Sequence, residues 1–76
     1  MNKQRRERID TIKESLEQLK SELETIQEEE QEAYDAMPEG LQGSERGEKA
    51  QASSDALSEA VSQLDGVIEQ LEEAVE

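Results

Sequence analysis

Apolar residues recur every third or fourth position along most of the chain, and this spacing constrains the fold more than any other feature. In the first half the series is Ile9, Ile12, Leu16, Leu19, Leu23 and Ile26, and after Glu30 it continues with Ala33 and Met37. In the second half it is Leu57, Val61, Leu64, Ile68, Leu71 and Val75. Such steps place side chains on one face of an α-helix, so the pattern predicts two amphipathic helices with coiled-coil-like seams. The regular spacing also argues against the disorder that high charge and a single aromatic residue would otherwise suggest.

One break separates the two series, the segment "MPEGLQGSERGE". Pro38 disfavours the α conformation at the preceding Met37, so the first helix is expected to end there. Gly40 and Gly43 can adopt the positive φ angles that a chain reversal often uses. Ser44 is a suitable N-cap for the second helix. The segment is therefore predicted to be a loop that reverses the chain.

These features predict an all-α fold, an antiparallel two-helix hairpin that forms a single domain over residues 1–76. We expect a helix over about residues 3–36, a loop over about 37–43 and a helix over about 44–75. The charges favour antiparallel pairing, because six bases lie within residues 1–20, whereas the end of the chain carries Glu69, Glu72, Glu73 and Glu76. Pairing these opposite charges disfavours a parallel arrangement, although each exposed ion pair contributes only about 0–1 kcal/mol.

The second helix has more apolar surface than one partner helix can cover. Ala60, Val67 and Ala74 recur at intervals of seven beside its seam. A seam side chain that meets one facing helix gains only part of the ~1.5–3 kcal/mol of full burial, against ~1–2 kcal/mol of backbone entropy per ordered residue. We therefore predict a homo-oligomer, such as a dimeric four-helix bundle, or a hetero-complex, with these three residues as the partner or oligomer surface.

Composition excludes several kinds of chemistry. The chain has no Cys and no His, so disulfides, zinc sites built on these residues, and Cys or His nucleophiles are ruled out. A two-helix object also offers no deep pocket in which a carboxylate could be tuned as an acid or base. We predict that the protein is not an enzyme and has no catalytic, cofactor-binding or metal-binding residues.

The net charge is −13, from 21 acidic and 8 basic residues. This charge opposes direct binding to nucleic acid or to anionic membranes and favours a basic protein partner. Acidic residues without an intervening base are densest in one stretch: Glu22, Glu24, Glu28, Glu29, Glu30, Glu32 and Asp35. Glu30 falls on the predicted seam, opposite small and polar residues at the start of the second helix. The candidate partner-binding residues are Glu22, Glu24, Glu28, Glu29, Glu32, Tyr34 and Asp35.

Two interpretations of the acidic stretch remain open. It can be a solvated face that keeps the chain soluble, or it can be a binding surface. At a rise of about 1.5 Å per residue, it carries roughly one charge per 3 Å of helix axis, near the ~3.4 Å spacing of phosphates along one nucleic-acid strand. This similarity makes nucleic-acid mimicry the alternative function.

The N-terminal segment is basic but lacks the continuous apolar run of a signal peptide, and no segment reaches the roughly 20 apolar residues of a membrane span. A cytoplasmic location is expected.

The segment "AYDAMPEGLQGSERGEKA", with the acidic repeat that ends in "IEQLEEAVE", resembles small acidic two-helix proteins of unassigned function from phages and prophages of bacteria. The resemblance covers about residues 28–76 and implies a phage accessory protein in the cytoplasm of a bacterial host cell. We predict a non-catalytic acidic interaction module that binds a basic host protein. The alternative is a nucleic-acid mimic that inhibits a host nucleic-acid-binding defence enzyme, of the anti-restriction or anti-CRISPR type.

Overall fold

A computed structural model describes all residues from 1 to 76 and contains helices and no strands. The helices are α1 (Lys3–Asp35), α2 (Glu39–Gln42) and α3 (Glu45–Ala74). The two long helices pack against each other in an elongated molecule that measures 58 × 15 × 13 Å. The prediction of an all-α fold is confirmed.

Contacts between α1 and α3 define their relative direction. Near the start of α1, Lys13 Nζ lies 3.7 Å from a carboxylate oxygen of Glu72, near the end of α3. One heptad further along, Lys20 Nζ lies 2.5 Å from Asp65 Oδ1. Because later residues of α1 meet earlier residues of α3, the two helices run in opposite directions. The same register places Leu16 level with Ile68.

The segment between the long helices differs from the predicted loop because it contains the one-turn helix α2. Pro38 is the N-cap of α2, and its carbonyl accepts hydrogen bonds from the backbone N–H groups of Leu41 (2.8 Å) and Gln42 (3.1 Å). No glycine has a positive φ, and Gly43, which ends α2, has φ −86° and ψ 0°. The expectation of left-handed glycines was wrong, because a turn of helix achieves the reversal with ordinary backbone angles.

Side-chain caps begin both long helices. Asn2 Oδ1 accepts a hydrogen bond of 2.8 Å from the backbone N–H of Arg5. Ser44 Oγ accepts one of 3.4 Å from the backbone N–H of Gly47 and donates one to the carbonyl of Leu41. The predicted N-cap at Ser44 is therefore confirmed, and its second bond ties the start of α3 to α2.

The face that α1 turns toward α3 is rotated from the predicted seam. Ile9, Leu16, Leu23 and Met37 are half-buried, as expected. The other predicted seam residues are exposed: Ile12 53%, Leu19 53%, Ile26 48% and Ala33. Their places in the seam are taken by the half-buried residues Lys13, Lys20, Gln27 and Tyr34. One partner helix covers a narrow stripe, and on α1 this stripe includes the lysines that reach Glu72 and Asp65.

The face of α3 toward α1 agrees with the predicted seam. Ile68 is the one buried large apolar residue, with 7% of its surface exposed. The remaining seam residues are half-buried: Leu57, Val61, Leu64, Leu71 and Val75. Gly47 and Ser54 are also buried, so at these two positions near α2 the α3 side of the seam carries small residues.

None of the helices has the length and apolar content that a membrane-spanning segment needs.

Gly47 marks the closest approach between α3 and the turn. A Cβ atom built there would collide with the backbone carbonyl oxygens of Gln42 and Leu41. Gly47→Ala is expected to lower the free energy of unfolding by about 1–3 kcal/mol, because backbone atoms must move to admit the methyl group. Chemical denaturation followed by far-UV circular dichroism measures this change.

Gly66→Ala is the matched control, because a Cβ at Gly66 meets nothing within 4 Å. This substitution lies inside α3 and is expected to stabilise the chain by about 0.5–1 kcal/mol through helix propensity. Stabilisation of similar size at both positions would contradict the packing described for Gly47.

Candidate functional site

A layer of hydrogen-bonded polar side chains crosses the seam near α2. Ser54, only 1% exposed, lies at its centre. Its hydroxyl accepts a hydrogen bond of 3.1 Å from Gln27 Nε2 and donates one of 2.8 Å to Gln31 Oε1. Gln51 Nε2 extends the layer to Asp55 Oδ1 at 2.9 Å. No buried side-chain polar atom lacks a partner, so the layer is fully satisfied.

A thin, polar seam was expected around Glu30, and Glu30 is half-buried there. The glutamines that fill the seam were not predicted. The available signal was Ser54, which lies where the apolar series of α3 extends back by one step from Leu57, whereas Gln27 follows the predicted seam residue Ile26 and gave no such signal. A satisfied polar layer fixes the register of two helices, because a shift of either helix would leave amide groups unpaired.

The centre of the seam carries an ion pair that joins the two helices. Lys20 Nζ contacts Asp65 on α3 and lies 3.7 Å from a carboxylate oxygen of Glu24 on its own helix. The hydrogen bond that Lys20 donates to Asp65 raises the pKa of Lys20 above its ordinary value of 10.5, against a smaller opposing effect of desolvation. The ammonium group is thus held charged while its aliphatic stem lies along the seam.

The acidic candidates are all exposed: Glu22, Glu24, Glu28, Glu29, Glu32 and Asp35. At about 100° per residue they are distributed around α1 rather than along one line. Glu22 and Glu29 lie on the side that also carries Ile12 and Leu19, and Glu32 lies on the surface away from α3. The side of α1 that carries Gln31 is lined by Glu24, Glu28 and Asp35.

Few of these carboxylates have a partner within the chain. Glu24 is paired with Lys20, and Asp35 Oδ1 accepts a hydrogen bond of 3.1 Å from Gln31 Nε2. No ion pair or side-chain hydrogen bond engages the exposed carboxylates of Glu28, Glu29 and Glu32. Their charges are available to a partner.

Tyr34 differs from the acidic residues because it belongs to the seam. It is half-buried, and its backbone carbonyl accepts a hydrogen bond of 3.3 Å from Gln42 Nε2. Its position helps to close the end of the helix pair against the turn.

The third predicted group lies on one side of the helix pair. Val67 is 42% exposed, Ala74 is exposed and Ala60 is half-buried. The polar contacts between the long helices, such as Gln51 Nε2 to Gln31 Oε1 at 3.5 Å, lie on the opposite side. Ala60, Val67 and Ala74 each directly precede a seam residue of α3, as Ile12, Leu19 and Ile26 each directly precede a seam residue of α1. When two helices pack antiparallel, the residues that precede their seams lie on the same side of the pair. We therefore define the apolar face as Ile12, Leu19, Ile26, Ala60, Val67 and Ala74.

Shallow grooves extend the apolar face at both ends of the molecule. The groove near the termini has a volume of about 180 Å³ and is lined by Met1, Arg5, Arg8, Ile9 and Ile12. The groove near the turn has a volume of about 310 Å³ and is lined by Ala33, Ala36, Met37, Pro38, Leu41 and Arg46. Each groove combines apolar walls with arginine and contains no acidic residue.

No group of three or more acidic side chains is arranged to hold a metal ion. Searches of protein-family models, curated proteins and solved structures find no match to this chain.

The hydroxyl of Ser54 is expected to stabilise the fold through its two bonds to the glutamines. Ser54→Ala should lower the free energy of unfolding by about 1 kcal/mol relative to Ser58→Ala. Ser58 is exposed on the same helix, so both changes gain similar helix propensity and their difference isolates the polar layer. The measurement is the midpoint of urea denaturation. Equal midpoints for the two variants would show that the layer adds no stability.

The Lys20–Asp65 pair should give the stability of the fold a defined dependence on pH. Because the pKa of Lys20 is raised in the folded chain, the pair stabilises the fold fully below pH 10.5. This stabilisation is lost as the pH rises through the raised pKa. Asp65→Asn should lower the pKa of Lys20, measured by NMR titration of its side-chain carbon atoms, whereas Asp55→Asn should leave it unchanged. An unchanged pKa in Asp65→Asn would contradict the pairing.

Proposed function

We propose that this chain is a non-catalytic protein-interaction module, an antiparallel helical hairpin that binds a basic surface on another protein through the acidic half of α1. The resemblance noted in the sequence suggests the setting, a phage accessory protein that binds a host protein in the bacterial cytoplasm. The binding residues are those of the acidic stretch, with the exposed carboxylates of Glu28, Glu29 and Glu32 at their centre.

One observation carries this proposal. The carboxylates of Glu28, Glu29 and Glu32 are exposed, and none of the eight basic residues of the chain forms an ion pair with them. Repulsion among these charges disfavours the folded helix, and no internal contact offsets it. Lysine or arginine side chains of a partner would relieve the repulsion, and charge would steer the association.

Nucleic-acid mimicry is the second candidate, favoured by the spacing of the charges along the helix axis. In that case the partner surface is a groove that otherwise binds DNA or RNA. The two candidates differ in a competition experiment, since a mimic shares its site with nucleic acid and is displaced by an excess of the DNA or RNA that the partner binds.

Replacement of Glu28, Glu29 and Glu32 by Gln tests the proposal. The triple variant keeps helix propensity and side-chain shape while it removes three charges. Tagged wild-type chain is used to capture partners from a bacterial lysate, with washes of increasing salt concentration. We expect the captured protein to be basic, to elute at moderate salt because the contacts are electrostatic, and to bind the triple variant at least about tenfold more weakly.

The matched control replaces Glu59, Glu69 and Glu73, three exposed residues of α3, by Gln. It changes the net charge by the same amount on the other helix, and it should bind the captured protein as the wild type does. Far-UV circular dichroism verifies that both variants keep their helix content. Equal binding by the two triple variants would contradict the proposal and would leave the acidic stretch as a face that only keeps the chain soluble.

A further inference from the structure

The apolar face lacks acidic residues in a chain that is rich in them. Steps of seven residues extend the six residues of the apolar face along both helices. They add Arg5 and Ala33 on α1 and Arg46 and Ser53 on α3, which makes ten residues in all. None of these ten residues is an acid, although 21 of the 76 residues of the chain are acidic. A surface that only meets water has no reason to exclude the commonest kind of residue in the chain. We propose that this face binds the same face of a second copy, with the two copies antiparallel.

The apolar face is symmetric about its middle, as a two-fold interface requires. The register between the helices places Leu19 on α1 level with Val67 on α3. On α1, Leu19 is flanked by Ile12 and Ile26, each one heptad away. A two-fold axis at the level of Leu19 brings it against the partner's Leu19, and it brings Ile12 against the partner's Ile26.

The same axis also brings the α3 helices into register. Val67 meets the partner's Val67, and Ala60 meets the partner's Ala74. The row on α1 has large side chains, whereas the row on α3 has one valine between two alanines, so the α3 helices can approach closely. A single two-fold axis therefore pairs the apolar residues of α1 and those of α3 with their copies in the partner, and the resulting dimer is a four-helix bundle.

The charges favour the antiparallel arrangement over the one in which both turns lie at the same end. Arg8 borders the apolar face near the start of α1, and Glu22 and Glu29 border it further along the same helix. In the antiparallel arrangement, Arg8 lies near the partner's Glu29, and Arg5 approaches the acidic stretch of the other copy. With the turns at one end, Arg8 would lie at the opposite end of the bundle from the partner's Glu29, and the two acidic stretches would lie at the same end.

The size of the face suits a second copy. A side of a molecule that measures 58 × 15 × 13 Å offers roughly the 800 Å² per partner that standard interfaces bury. The free chain has only one buried large apolar residue, Ile68. Covering Ile12, Leu19 and Ile26 would supply the apolar burial that a small chain without disulfides otherwise lacks.

This proposal does not depend on the proposed function, because Glu28 and Glu32 remain outside the interface and Glu29 only borders it. Sedimentation equilibrium of the wild type should give twice the chain mass. Leu19→Asp places two carboxylates against each other on the axis and should raise the dissociation constant by more than about tenfold, and the same holds for Leu19→Lys. A mixture of the two variants should restore the dimer, since opposite charges then meet. Ser62→Asp, at an exposed position of α3 outside the face, is the matched control and should remain dimeric.

Cysteine cross-linking tests the arrangement without a charge in the interface, and the chain has no cysteine of its own. Leu19→Cys should form a covalent dimer under mild oxidation, whereas Glu59→Cys on the outer surface should form little. A wild type that remains monomeric at high micromolar concentration would overturn the proposal. Cross-linking of Leu19→Cys to Val67→Cys in a mixture, without cross-linking of Leu19→Cys to itself, would overturn the antiparallel arrangement.

Discussion

The contact between two helices is narrow, and the rest of the structure depends on which residues occupy it. α1 offers α3 a stripe in which Ile9, Leu16 and Leu23 alternate with Lys13 and Lys20. The lysines serve this stripe in two ways, because their stems cover apolar surface and their ammonium groups reach acids on the facing helix. The choice of this stripe leaves the other apolar row of α1 uncovered.

Other features keep the two helices in this register. The polar layer around Ser54 is satisfied only when the glutamines of α1 lie level with it. At the end of the molecule, α2 and the buried Gly47 hold the start of α3 close to the turn. Acidic residues then occupy the surfaces away from the seam. The result is a molecule with an apolar face that contains no acid and with exposed, unpaired carboxylates near the turn. The two proposals use these two surfaces, which meet at Glu29.

Much of this fold follows from the spacing of apolar residues, but the rotation of α1 does not. The row that begins at Ile9 and the row that begins at Ile12 both repeat every seven residues on the same side of α1. Periodicity alone therefore cannot select which of the two rows faces α3. The choice depends on Lys13 and Lys20 meeting Glu72 and Asp65, which requires the three-dimensional register. The short helix α2 was missed because proline and glycines usually indicate an open loop. The acidic stretch and the flank of α3 were evident from the sequence, whereas the glutamine layer was not, because glutamines are ordinarily on the surface.

The rotation of α1 against α3 can be measured directly by disulfide formation within one chain. The seam described above places residue 20 opposite residue 64, and it places residue 19 at the edge, on the apolar face. Lys20→Cys combined with Leu64→Cys should therefore form an intramolecular disulfide rapidly under mild oxidation, whereas Leu19→Cys combined with Leu64→Cys should form it slowly. Faster closure of the pair at residues 19 and 64 would contradict the seam and everything derived from it.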